Sequence, residues 1–336
     1  MKSGEQAFIY AKACGIIGRS FIDNNLAVLR GINHLSDLDK LVFPDTHHEL
    51  PAKQLLRDFE DRVTQQAIKQ ITAMVNLFHK IPDLLIQLIR SYECADLKIV
   101  LSAHIHGEKV MPGFTDIGLF RTIKFEAYPD LLAMLKGTNF EFLLHDDLLS
   151  GVKDNAIDIQ MFIDHHYYKI LLASVKKLNK KDRQHIEILL REEIILHNII
   201  WALRLRTYYR LSPEAVRSKL IAIPEDNALA RDALASLSFS LQNRSDWKGW
   251  KYECFLNPDY SDRQWEADPR YVQNKIALYV HRRIRKFFHG NPFSLDTAFC
   301  FIKLKQYEED ILTSIAEGLG LGLSSTDVFS LIEVPV

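Results

Sequence analysis

The sequence predicts an all-α protein of three tandem, similar helical bundles, and three observations predict it. Chain-breaking residues are scarce: 14 glycines and 11 prolines in 336 residues. Stretches with neither run from Ala52 to Lys80, Asn155 to Leu211, Tyr260 to Asp268 and Tyr271 to His289. They are rich in Leu, Ile, Ala, Lys, Arg, Glu and Gln, which lose little side-chain freedom in a helix. Alternating β-branched runs joined by turn dipeptides, the mark of hairpins, are scarce as well. The third observation is a pattern that recurs roughly every hundred residues, a period too long for a solenoid.

The elements follow in order. "LPAKQLLRDFEDRVTQQAIKQITAMVNLFHK" has Pro51 near a helix start and sets Leu55, Phe59, Val63, Ala67 and Ile71 four apart down one face. "IPDLLIQLIRSY" opens the next helix with Pro82 in its first turn. A break falls in "HGEKVMPGFTD" (106–116). After the long stretch to Leu211, "LSPEAVRSKLI" offers Ser212 as N-cap and Pro213 as the first helical residue. A second break falls in "AIPEDNALARD" (222–232). "NPFSLDTAFCFIKLKQYEEDILTSIAEG" closes at Gly318, read as the residue just past a helix end. The breaks divide the chain into parts of similar length, 1–115, 116–225 and 226–336.

The parts echo one another. In "LLIQLIRSYECADLKIVL" (84–101), Leu85, Leu88, Ile89, Tyr92, Ile99 and Val100 form an apolar helical stripe with Asp96 inside it. In the second part Leu190, Ile194, Trp201, Ala202 and Leu205 form such a stripe around Asn198. In the third, Leu304, Ile311, Leu312 and Ile315 do so around Glu308, which stands where Glu93 stands in the first. A weaker echo pairs Phe43, Thr46 and His48 of "FPDTHHEL" with Leu135, Thr138 and Phe140 of "LKGTNFEFLL".

Charge narrows the function. Forty-two basic against 43 acidic residues give a net charge of -1, no global reason to expect nucleic acid or an anionic membrane as partner. No apolar run reaches the ~18 residues of a spanning helix. "MKSGEQAFIYAKACGIIGRS" lacks a basic start followed by a long apolar stretch, so no secretory signal is expected. Cys14, Cys94, Cys254 and Cys300 are far apart and form no C-x-x-C, which points to reduced thiols in the cytoplasm.

Three segments carry a resemblance. "YECADLK" (92–98) places Glu93, Asp96, Leu97 and Lys98 in a pattern of the D-x-x-N-l-K kind. "HNIIWALRLRTYY" (197–209) keeps Asn198, Ile199, Arg204, Arg206 and Tyr208, with Ile195 in place of the acid. "FIKLKQYEEDILTSIAEGLGLGL" (301–323) keeps Lys305 and Glu308, with Ile311 in place of the Asn. In order, spacing and helical context these segments resemble the C-subunit family of archaeal A-type and bacterial V-type rotary ATPases, whose eukaryotic members are the d subunits. The resemblance covers nearly the whole chain. It implies three fused bundles in a funnel about a pseudo-threefold axis. It implies a non-catalytic rotor subunit on the cytoplasmic side of the cell membrane. Its partners would be the central-shaft subunits and the membrane proteolipid ring, and it would couple ATP turnover to proton or sodium transport. No cofactor, direct nucleotide binding or nucleic-acid partner is implied. Glu93, Asp96, Asn198, Arg204, Lys305 and Glu308 are the candidate packing or partner-contact residues.

Other clusters are weighed against chemistry. "FIDHHYYK" strings Asp164, His165 and His166 together, but adjacent helical residues point about 100° apart and cannot both serve one metal on one face. "DTHHEL" has Ala52 where H-E-x-x-H needs its second His. His104, His106 and Glu108 lack a second cluster to complete a metal shell. "GLGLGLSST" (318–326) has no G-K-[ST], so it reads as a helix end and linker. "YVHRRIRKFFHG" (279–290) reads as a solvated basic face, with an acidic partner surface or lipid headgroups as the other readings. Asn198 has no triad, phosphate loop or metal spacing around it and reads as a device fixing helix register. No catalytic, cofactor-binding or metal-binding residue is assigned. A helical adaptor that binds another protein in a groove, and a metal-dependent hydrolase using the histidines, remain the competing readings.

Overall fold

The structure is a computed structural model that describes residues 3–46, 48–144, 156–223, 226–259 and 264–332. His47 of "DTHHEL", Asn155, the expected boundary at Glu225 and Tyr260 to Arg263 of the uninterrupted stretches lie outside the described residues. Among the described residues there are thirteen α-helices and no strand beyond one isolated bridge between Ile223 and Asp226. The helices are α1 (Ser3–Ile17), α2 (Leu35–Val42), α3 (Ala52–Val75), α4 (Asp83–Ile89), α5 (Ser91–Ile105), α6 (Leu131–Leu135), α7 (Ala156–Lys176), α8 (Lys180–Thr207), α9 (Pro213–Arg217), α10 (Ala228–Ser236), α11 (Pro269–Gly290), α12 (Asp296–Gly320) and α13 (Ser325–Ile332). The all-α class is as the sequence predicts.

The chain forms two compact units. One comprises Met1–Lys80, Lys180–Leu189 and Ser240–Val336. Its centre is α12, buried along most of its length between α3, α11, α1 and α13. The four-residue ladder of α3 is the buried face: Leu55, Phe59, Val63, Ala67 and Ile71 are all enclosed, with Phe59 and Val63 in one core with Leu38, Ile311, Leu312 and Ile315. The α11 helix begins as its sequence dictates. Pro269 occupies the first turn, where no N–H is missed, and the Asp268 carboxylate accepts the free N–H of Arg270 at 2.9 Å.

The other unit comprises Ile81–Asn179 and Leu190–Phe239. Here α7 lies against α4 and α5, and Leu97, Val100, Leu101, Phe125, Met134, Leu135 and Ile163 fill the core. Ser212 caps α9, its hydroxyl accepting the N–H of Ala215 at 3.3 Å, with Pro213 next. The two segments of the weak echo each contain a turn. The N–H of Thr46 donates to Phe43 O at 3.2 Å, and that of Thr138 to Leu135 O at 3.0 Å. The ring positions differ, since Phe140 is buried and His48 is exposed.

Two local readings need correction. The stripe from Leu85 to Val100 is not one helix, because α4 ends at Ile89 and α5 restarts at Ser91. On the restarted helix the buried arc runs through Glu93, Leu97, Val100 and Leu101. Ile99 falls roughly 60° beyond Asp96 on the other side, and it is 54% exposed. Gly318 does not end a helix either. It is buried inside α12, where an added Cβ would overlap Val328 Cγ2. The missing side chain is what lets α13 pack there. The turn out of α12 is made by Gly322, at φ +81, a left-handed conformation that glycine adopts without strain.

Candidate functional site

The polar residues inside the apolar seams have one role in common, since Glu93, Asp96, Asn198 and Glu308 each bind backbone outside their own helix. On α5, Glu93 and Asp96 lie one turn apart and both are buried. Glu93 accepts the N–H groups of Thr122 and Ile123, each at 2.5 Å, and the Thr122 hydroxyl at 2.9 Å. Asp96 accepts the N–H of Thr115 at 2.8 Å and its hydroxyl at 3.1 Å. Burial raises the Asp96 carboxyl above the usual carboxylate range, although the two bonds from Thr115 oppose the shift. A carboxylate offers about four acceptor sites. Two of them one turn apart tie down the non-helical backbone that follows α5.

On α8, Asn198 is 1% exposed and uses both ends of its amide. Its Nδ2 donates to Ile221 O at 2.9 Å and Leu229 O at 3.0 Å, and its Oδ1 accepts the N–H of Ile221 at 2.8 Å. Two turns on, Arg206 donates to Ser236 O at 2.9 Å and Phe239 O at 2.6 Å, a cation on carbonyls in and just after the last turn of α10. Arg204 does something different. It is partly exposed, and its guanidinium lies over the Trp201 ring 5.0 Å from the centroid.

On α12, Lys305 and Glu308 form a buried ion pair one turn apart. Glu308 Oε1 also accepts the N–H of Phe21 at 2.7 Å, and Lys305 Nζ donates to the Ser20 hydroxyl at 3.3 Å. The pair therefore holds the backbone that follows α1. Beside it is a cavity of ≈ 350 Å³ lined by Gln66, Gln70 and Arg19 as well as the pair, room for several waters.

Sequence reasoning found the helix ends of these contacts and missed the receiving ends. Thr115, Thr122, Ile221 and Phe21 sit in irregular backbone where no periodicity marks them. The available signal was the two threonines near the first break, since a buried pair of acids requires donors. Arg191 and Asp226, a two-pronged ion pair with one contact at 2.9 Å, were also missed.

The histidine clusters lie apart from these contacts. Asp164 of α7 pairs with Lys98 of α5. His166 packs on the Phe142 ring, centroids 4.5 Å apart. His106 Nδ1 lies 2.7 Å from Ser102 O, and His104 meets the edge of Tyr128. Among the described residues no three His, Cys, Asp or Glu side chains are grouped to hold a metal ion. "GLGLGL" is the last turn of α12 and the turn after it.

His197 gives a pH prediction. It is half-enclosed at residue level, yet its Nε2 is buried without a hydrogen-bond partner, 3.9 Å from Asp164 Oδ2. Burial lowers its pKa below the usual imidazole range, and Asp164 only partly opposes this. Folded His197 thus takes up its proton at lower pH than unfolded His197. The unfolded chain binds more protons in between, and stability falls as pH drops below about 6.5. His165 and His166 are lowered by burial too and add to the trend. Denaturant unfolding between about pH 7 and 5 should show a shallower acid loss in His197→Gln than in the parent chain. Equal slopes would remove His197 from the account.

A sequence model of the family described as "ATP synthase (C/AC39) subunit" matches residues 22–328. The chain is also similar to an uncharacterized protein of Treponema pallidum (strain Nichols), 24% identical over 327 residues, covering 95% of this chain and 94% of that one. The match takes in the anchors of α5, α8 and α12 alike, and the chain belongs to the ATP synthase (C/AC39) subunit family, a family of non-catalytic subunits of V/A-type ATPases.

Proposed function

We propose that this chain is the central-rotor subunit that joins the shaft of a V/A-type ATPase to its membrane proteolipid ring, on the cytoplasmic side. It would couple ATP turnover to proton or sodium transport without binding nucleotide itself. We propose with it that the chain is three tandem repeats, near 1–115, 116–225 and 226–336.

One observation carries the reading: the cyclic order of the anchors. The polar-bearing helix of the first part, α5, holds backbone at the first junction, through Thr115 and Thr122. That of the second holds backbone about the second junction, through Ile221 and Leu229. That of the third holds Phe21, near the start of the first. Directional bonds at each junction resist shear where apolar contacts alone would slide, and close-packed helices have low compressibility. Both suit a body that transmits torque. Five of the six candidate residues are spent on these internal bonds. Arg204, on its partly exposed Trp201 platform, is the one assigned to a partner surface. No helix among the described residues is long and apolar enough to cross a membrane, which suits a subunit held by its partners.

The experiment is co-purification from cells carrying a tagged chain. The shaft and proteolipid subunits should come down together with it. Recovery of neither overturns the proposal, whatever else is recovered.

A further inference from the structure

We propose that the C-terminal half of α11 is a docking surface for an anionic lipid bilayer. The proposal goes beyond the rotor reading and stands apart from it, since the isolated chain either binds vesicles or does not.

The charge of α11 is one-sided. It carries Arg270, Lys275, Arg282, Arg283, Arg285 and Lys286 and no Asp or Glu, in a chain of net charge -1. Arg282, Arg285, Lys286 and His289 are all exposed, and their three- and four-residue spacing gathers them into one stripe over the last two turns. Among the described residues one acid meets that stripe. Asp23 takes Arg285 at 2.6 Å and the buried His281 at 3.0 Å. Arg282 and Lys286 keep no ion-pair partner among the described residues.

Apolar rings complete the pattern. Arg283 lies over Phe287 at 5.2 Å, and Phe293, just past the helix, is 47% exposed. A recess of ≈ 250 Å³ beside α1 is lined by Arg285 with its partner Asp23, by His289 and Asn25, and by Phe288 on its apolar side. A headgroup layer accommodates such a mixture, because phosphates meet the cations while the ring enters the acyl boundary. Nucleic acid would be served by several exposed stacking rings along a groove, and here one ring is exposed at the end of the stripe.

The test uses the purified full chain and vesicles of phosphatidylcholine alone or mixed with phosphatidylglycerol. Sedimentation should show binding to the mixed vesicles only, weakened by added salt. A basic side chain near such a surface is worth about fivefold in partition. Arg282→Gln/Lys286→Gln should therefore lower partition by roughly thirtyfold, with circular dichroism unchanged. Phe293→Ser should lower it further. Equal partition onto both kinds of vesicle, or none lost in the double variant, overturns the proposal. So does a chain that ignores mixed vesicles while the double variant drops out of the assembled complex, which would make the stripe a protein contact.

Discussion

Asn198→Leu is expected to destabilise the protein by about 3 kcal/mol, although leucine is the better helix former. The amide serves three backbone groups: the N–H and C=O of Ile221 and the C=O of Leu229. Each buried group left unpaired costs ~1–3 kcal/mol, and relaxation of irregular backbone toward water keeps the sum at the low end. The α8 helix should persist, because Ile194, Ala202 and Leu205 still bury its seam. The junction backbone should loosen. Urea unfolding reads the first effect, and faster amide exchange at Ile221 reads the second. Asn198→Asp is the control. It keeps an acceptor for the Ile221 N–H but turns an oxygen toward two carbonyls, so its loss should shrink once acid protonates the new carboxyl. An Asn198→Leu chain as stable as its parent would show that the three bonds contribute nothing net.

Lys305→Met is expected to cost about 3–5 kcal/mol, because it strands the Glu308 carboxylate in the core. Both side chains are about 6% exposed, and waters in the cavity beside the pair offset only part of that cost. Lys305→Met/Glu308→Gln should regain most of the loss. The buried charge is gone, and glutamine still offers an oxygen to the Phe21 N–H that Glu308 now accepts at 2.7 Å. The double-mutant cycle separates the two terms. If the double variant is as unstable as Lys305→Met, the loss lies in packing and not in stranded charge.

The two predictions differ in how far the sequence alone led to them. The seams of α8 and α12 are legible because each runs more than six helical turns without a break, so a polar residue in the wrong place stands out. The α5 seam is less so. The interruption at Arg90 carries no proline or glycine, and it resets the phase that had put Ile99 inside. Gly318 looked like a stop because glycine usually is one there. Its actual cause is the approach of Val328, a contact that no local pattern contains. The α1 helix gave no seam to read, since its apolar residues lie all round it. The receiving ends of the anchors were illegible for a similar reason. A backbone N–H has no side chain to announce it, so which loop a buried acid holds is settled by tertiary structure alone.

Under the proposed function, torque crosses this chain on its way to the membrane. The measurement is ATP hydrolysis and ATP-driven ion transport, side by side, in a complex reconstituted with and without the protein. Nothing drives the ring when the link is missing, whereas the catalytic head can still turn its shaft. The account predicts that transport is abolished, hydrolysis by the head remains, and head–membrane attachment weakens. Transport that persists without the chain, or hydrolysis that vanishes when only this chain is withheld, would contradict it.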